Sequence, residues 1–104
     1  MPMSDMRLSK RQIASIKNAV VEVLGPEAQV WLFGSRVDDS AKGGDIDLLV
    51  RPDPTAGNPD LMGKVRLLGK LERALGERRI DIVIETPRDP RPIVRIAHEK
   101  GIPL

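Results

Sequence analysis

The 104-residue chain has no cysteine and no tyrosine, and a single tryptophan and a single phenylalanine. Without cysteine there are no disulfides and no thiolate metal sites. So few aromatics argue against binding of single-stranded nucleic acid, which usually relies on aromatic stacking platforms. No run approaches the roughly 18 apolar residues of a membrane-spanning helix. The opening MPMSDMRLSK lacks the apolar core of an export signal. A large charge of one sign is missing too: 17 basic against 15 acidic residues leave a net of +2, with a pI near 9.3, which is mild for a dedicated nucleic-acid binder. These absences lead us to expect a cytoplasmic protein with no membrane contact and no direct nucleic-acid binding. We expect one domain over residues 1–104, long enough to bury roughly 65% of its unfolded surface without staples.

What is present reads as an alternation of helices and strands. Ser9 followed three residues later by Gln12 is a capping-box pattern. The helix it opens carries Ile13, Ile16, Val20, Val23 and Leu24 on one face, and Gly25-Pro26 ends it. Val30 to Phe33 reads as a strand ending at Gly34, and a second strand covers Asp45 to Val50. The segment RPDPTAGNPD is a loop, with Asn58 expected as the N-cap and Pro59 as the first residue of the next helix. That helix runs to Leu75, with Leu61, Val65, Leu68, Leu71 and Leu75 expected inside and Arg66, Lys70 and Arg73 outside, and Gly76 closes it. Arg79 to Ile84 alternates as a third strand, and a short helix follows over Ile93 to Lys100. Trp31 reads as core, and His98 as a surface residue in a last helical turn.

This order predicts an α/β fold with a small mixed sheet backed by helices. Phe33 to Asp45 is too short for a helical crossover, so the first two strands should be antiparallel neighbours. The second and third strands are separated by a long helix and should be parallel.

Within that frame, Asp45 and Asp47 interrupt the apolar run Ile46, Leu48, Leu49, Val50. A buried carboxylate without a partner costs several kcal/mol, so the pair needs a reason. Strand residues two apart point the same way, with Cα atoms roughly 6.7 Å apart. The two acids can therefore converge on metal ions, such as the two magnesium ions about 3.5 to 4 Å apart in phosphoryl-transfer sites. Asp81, between Ile80 and Ile82, joins them if its strand is a neighbour. Gly34-Ser35 after the first strand offers backbone amides and a hydroxyl to an anion, and Arg36 adds charge for the same triphosphate. Each feature alone is ordinary: a chain with nine Asp holds about one Asp-x-Asp by chance, Gly-Ser is usually a turn, and Asp81 suits an edge strand. Their conjunction points to a nucleotide site.

The same residues carry a family resemblance. Gly34-Ser35, nine intervening residues, the Asp45-Ile46-Asp47 strand and a later acid at Asp81 resemble the polymerase-β-type nucleotidyltransferase superfamily, specifically its minimal, MNT-type members. The similarity runs from about Ser9 to Leu104 and includes the ending Ala97-His98-Glu99-Lys100-Gly101-Ile102-Pro103-Leu104. It implies a polymerase-β-like fold in which Asp45 and Asp47 ligate two magnesium ions. It also implies that Asp81 assists the metal and activates the attacking hydroxyl, while Gly34 and Ser35 hold the phosphates of ATP. The sequence departs from that pattern after Arg36, where Asp38 and Asp39 stand in place of a second basic residue, with Lys42 or a partner chain as a substitute. The resemblance further implies a HEPN-type helical toxin as partner, with AMP transferred from ATP to one of its tyrosines. The alternatives are a free-standing transferase for a small molecule and a non-catalytic antitoxin that acts by steric binding.

Overall fold

The structure, a computed structural model, describes residues 8–33, 46–57, 59–76 and 79–104. The chain order is α1 (Lys10–Leu24), β1 (Gln29–Phe33), β2 (Ile46–Arg51), α2 (Leu61–Leu75), β3 (Ile80–Ile84), α3 (Pro92–Lys100) and β4 (Ile102–Pro103). Among the described residues the strands form one sheet in the order β3-β2-β1-β4. β1 pairs antiparallel with β2 and β4, and β2 pairs parallel with β3. The mixed α/β sheet expected from connection lengths is therefore present. The short β4 was not anticipated, because Ile102-Pro103 is too brief to show a period.

Side-chain alternation divides the sheet into two faces. Ile46, Leu48 and Val50 of β2 pack with Val30, Leu32 and Ile80, and with Ile16, Val20 and Leu24 of α1 and Leu67, Leu71 and Leu75 of α2. The opposite face carries Phe33 and Leu49, covered by Val94 and Ala97 of α3, with Trp31 and Val83 beside them. Two long helices thus shield one face and a nine-residue helix shields the other. Phe33, Asp47 and Asp81 fall on the lightly covered face by the period of two.

The helix ends follow local chemistry. Ser9 caps α1: its Oγ accepts from the Gln12 amide at 3.1 Å, and Gln12 Oε1 accepts from the Ser9 amide at 2.9 Å. Two expectations for α2 are corrected. Pro59 precedes the helix, which starts at Leu61 with Asp60 as N-cap, its side chain accepting from the Gly63 amide at 2.9 Å; Asn58 lies outside the described residues. The buried line runs through Leu67, Leu71 and Leu75, with Leu68 half-buried, whereas Leu61 and Val65 are exposed. The helix holds more apolar residues than one face can bury. At about 100° per residue, Val65 lies more than a quarter-turn from the line that α1 and the sheet select. Lys70 is not simply solvated either, since its Nζ lies 3.2 Å from Glu22 Oε1 on α1. α3 takes Pro92 as its first residue, where the missing amide donor costs nothing.

Two glycines are required by geometry. Gly25 has φ +106°, and a Cβ there would lie 2.5 Å from Asp53 Cβ. Gly101 would drive a Cβ into the Ala97 carbonyl and to 3.2 Å from Phe33 Cβ, so it lets the end of α3 lie on β1.

Candidate active site

The parallel pairing of β2 and β3 sets Asp47 directly opposite Asp81. Neighbouring strands are about 4.8 Å apart, so the two carboxylates leave the same sheet face side by side. On the other flank Asp47 is opposite Phe33, the residue immediately before Gly34-Ser35. Asp47 is half-buried and Asp81 exposed. The apolar residues of β2 that flank Asp47, Ile46 and Leu48, turn to the opposite, heavily covered face. That resolves the sequence puzzle: the acid interrupts the apolar run in sequence but does not enter the main core.

Of the residues expected at the site, the structure brings together Asp47 and Asp81. Asp45, Gly34, Ser35 and Arg36 lie outside the described residues, as does Lys42. Among the described residues no group of three or more potential metal-ligating side chains occurs.

A second polar cluster lies at the other end of the same face, and the sequence reading missed it. His98 Nε2 is 2.7 Å from Glu85 Oε1, Arg51 Nη2 is 3.5 Å from Glu85 Oε2, and Arg51 Nη1 donates to Gln29 Oε1 at 3.2 Å. The His98 ring meets Trp31 edge-on with centroids 4.5 Å apart, and the Arg51 guanidinium sits 5.2 Å from the Trp31 ring centre. Trp31 is therefore a half-buried platform rather than part of the main core, and His98 is a sheet contact rather than a free surface residue. These partners come from β1, β2, α3 and the residue that follows β3, so no local pattern could have announced them.

Two carboxylates elsewhere are structural. Asp53, 2% exposed, accepts from the Thr55 hydroxyl at 2.7 Å and the Thr55 amide at 2.8 Å, and from the Glu27 amide at 2.9 Å. These bonds, led by the Thr55 hydroxyl, lower its pKa. Its own amide donates to the Leu24 carbonyl at 3.0 Å, which ties the end of α1 to the loop after β2. The Asp-x-Thr spacing was a readable turn signal. Asp89 is held by the Arg91 side chain at 2.6 and 2.9 Å and by the Thr86 amide at 3.0 Å; the Arg91 bonds foremost hold its carboxyl well below the usual range. Neither lies near the acid pair. A cavity of about 450 Å³ lined by Arg51, Asp53, Glu85 and Thr86 is likewise at the far end of β2 and β3 from Asp47 and Asp81.

Residues 13–103 match the family model described as a nucleotidyltransferase domain. The chain belongs to the nucleotidyltransferase domain family. Among curated proteins, none matches it. The mixed sheet with its three helices is consistent with the polymerase-β-like form of this nucleotidyltransferase fold. Members of the family act generally on nucleoside triphosphates with divalent metals. Among the described residues of this nucleotidyltransferase, no helix is long and apolar enough to cross a membrane.

Proposed function

We propose that this nucleotidyltransferase moves AMP from ATP to a protein hydroxyl, and that the acceptor is a tyrosine on a helical HEPN-type partner, with the chain as the minimal, MNT-type antitoxin of the pair. The observation that carries the transfer reading is the register of Asp47 opposite Asp81. Two acids opposite each other on neighbouring strands, beside the strand end that leads into Gly34-Ser35, suit a polyphosphate bound through cations.

The donor set is carboxylate oxygen throughout, which fits hard divalent cations such as magnesium. Asp45 and Asp47 would hold the metals, with Asp81 sharing one. Bound there, magnesium ions supply neutralisation of the phosphate charge and stabilise the developing negative charge on the oxygens in transit. Gly34 and Ser35 offer amides and a hydroxyl to the β and γ phosphates, with Arg36 as the adjoining cation. In the reaction the acceptor oxygen forms a bond to the α-phosphorus, the bond from that phosphorus to the bridging oxygen breaks, and pyrophosphate leaves. Asp81, the exposed member of the pair, takes the proton from the acceptor hydroxyl. Among the described residues the helix packed on the acids' face is the nine-residue α3, and we favour an acceptor delivered by another protein over one enclosed by this chain. A free-standing transferase for a small molecule and a purely steric antitoxin are the competing readings.

Incubation with labelled ATP, magnesium and the protein encoded by the adjacent reading frame tests the proposal by mass spectrometry. An added AMP on a tyrosine of that neighbour is the expected result. Transfer only to small-molecule hydroxyls would overturn the partner assignment, and detoxification of the neighbour by Asp47→Asn would overturn the catalytic one.

A further inference from the structure

α3 crosses the sheet at a slant. At its start Arg91 Nη2 donates to the Ile84 carbonyl on β3 at 2.7 Å, and at its end Gly101 lies against Leu32 and Phe33 of β1. Val94 and Ala97 face the sheet. His98, about 40° further round than Val94 by helix periodicity, reaches Glu85 and Arg51 at the C-terminal ends of β3 and β2. Ile93 lies about 100° round from Val94 in the opposite sense. It therefore projects toward the N-terminal ends of those strands, where Asp47 and Asp81 stand. Ile96 follows three residues later on the outer side of the same flank.

Ile93 and Ile96 are 40% and 46% exposed. The other exposed large apolar side chains among the described residues are Val21, Leu61, Met62 and Val65, which belong to α1 and α2 on the other face of the sheet. Ile93 and Ile96 are thus the exposed apolar surface that shares a face with the acids. Aromatic alternatives are scarce: the chain has no tyrosine, Phe33 is buried, and Trp31 is engaged by His98 and Arg51.

We propose that Ile93 and Ile96 form the platform on which the purine base of the bound nucleotide lies, next to the phosphates held beside Asp47 and Asp81. The inference rests on the nucleotidyl-transfer reading of that acid pair. A purine presents a broad apolar ring face and a polar rim. Laying the ring on two isoleucine side chains removes apolar area from water on both partners, while the rim groups stay solvated. Such a platform selects a base by the area of its ring, so a purine nucleotide binds more tightly than a pyrimidine one.

Calorimetric titration separates the base from the phosphates. Magnesium with ATP and magnesium with inorganic tripolyphosphate are titrated into the wild type, the Ile93→Ser/Ile96→Ser double variant, and Val21→Ser, whose side chain is 39% exposed on the other face. The double variant is expected to lose about tenfold or more in affinity for ATP with tripolyphosphate binding unchanged, and Val21→Ser to match the wild type. All three positions are exposed, and equal melting temperatures in the absence of ligand confirm that the variants fold. Unchanged ATP affinity in the double variant overturns the platform, including the case in which only the KM for the acceptor rises, which would assign the flank to the acceptor. Equal affinity of the wild type for ATP and tripolyphosphate overturns it while leaving the phosphate site in place. Failure of the wild type to bind either ligand removes the nucleotide reading and this inference with it.

Discussion

Asp81→Asn separates a ligand-binding acid pair from a decorative one without knowledge of the acceptor. Asp81 is opposite Asp47 in the β2–β3 register, at a strand spacing of about 4.8 Å. Two unit charges at that distance repel by about 3.5 kcal/mol at an effective dielectric of 20 and by about 0.9 kcal/mol in water. Asp81 is exposed and Asp47 half-buried, so the water-like end of that range applies, in keeping with the cost of up to about 1 kcal/mol for like charges directly opposite on neighbouring strands. Asp47 itself is unchanged in the variant, so the difference between the two proteins reads the contribution of Asp81. In EDTA, Asp81→Asn should therefore melt at the same temperature as the wild type or a few degrees higher, since 1 kcal/mol is worth about 4–8 °C in a domain of this size. Magnesium with ATP at a hundredfold excess over Kd should stabilise the wild type by about 2.7 kcal/mol through mass action, a rise on the order of 10–20 °C, and the variant much less. Differential scanning calorimetry of both proteins with and without ligand reads all four values. A drop of several degrees for Asp81→Asn in EDTA, together with no shift of either protein by ligand, would refute the reasoning and make Asp81 a structural residue.

Four further outcomes are expected. Asp45→Asn and Asp47→Asn should each abolish nucleotidyl transfer while circular dichroism stays native, and wild-type turnover in either would remove it from the site. Gly69 lies in the interior of α2 with open space around it, so Gly69→Ala should stabilise the protein by about 0.5–1 kcal/mol. Gly101→Ala, crowded against Ala97, Leu32 and Phe33, should cost about 1–3 kcal/mol, and urea titrations that rank the two glycines the other way would contradict the packing of α3 on β1. The pKa values of Asp53 and Asp89 are depressed below 3.8 by their hydrogen bonds, so their stabilisation is present above that pH and is lost as pH falls through the lower folded-state values. The melting temperature of Asp53→Asn should accordingly fall less steeply than that of the wild type below pH 3.8, and parallel acid limbs would disprove the assignment.

How much of the molecule could be read in advance depends on how local its causes are. The Ser9–Gln12 cap, the strand periods and the short connection before Asp45 are properties of adjacent residues, and they were enough to establish the α/β class, the antiparallel β1–β2 pair and the parallel β2–β3 pair. The expectation that Asp45 and Asp47 share a face rests on the strand period too, and Asp45 lies outside the described residues. The start of α2 was misjudged because Asn58-Pro59 and Asp60 both offer capping chemistry, and the choice between them depends on where the helix docks.

By itself, the sequence determined the kinds and order of the elements and the acids that stand out against an apolar strand, because propensity, capping and alternation act over a few residues. The tertiary structure alone decided which acids meet, since the meeting of Asp47 with Asp81 depends on the register of strands more than thirty residues apart. It also chose which of two apolar stripes α2 buries, placed His98 on Glu85 and Trp31 rather than in solvent, and left Ile93 and Ile96 exposed on α3. Each of these results from packing one element against another, where the free energy comes from surfaces that are neighbours in space and strangers in sequence.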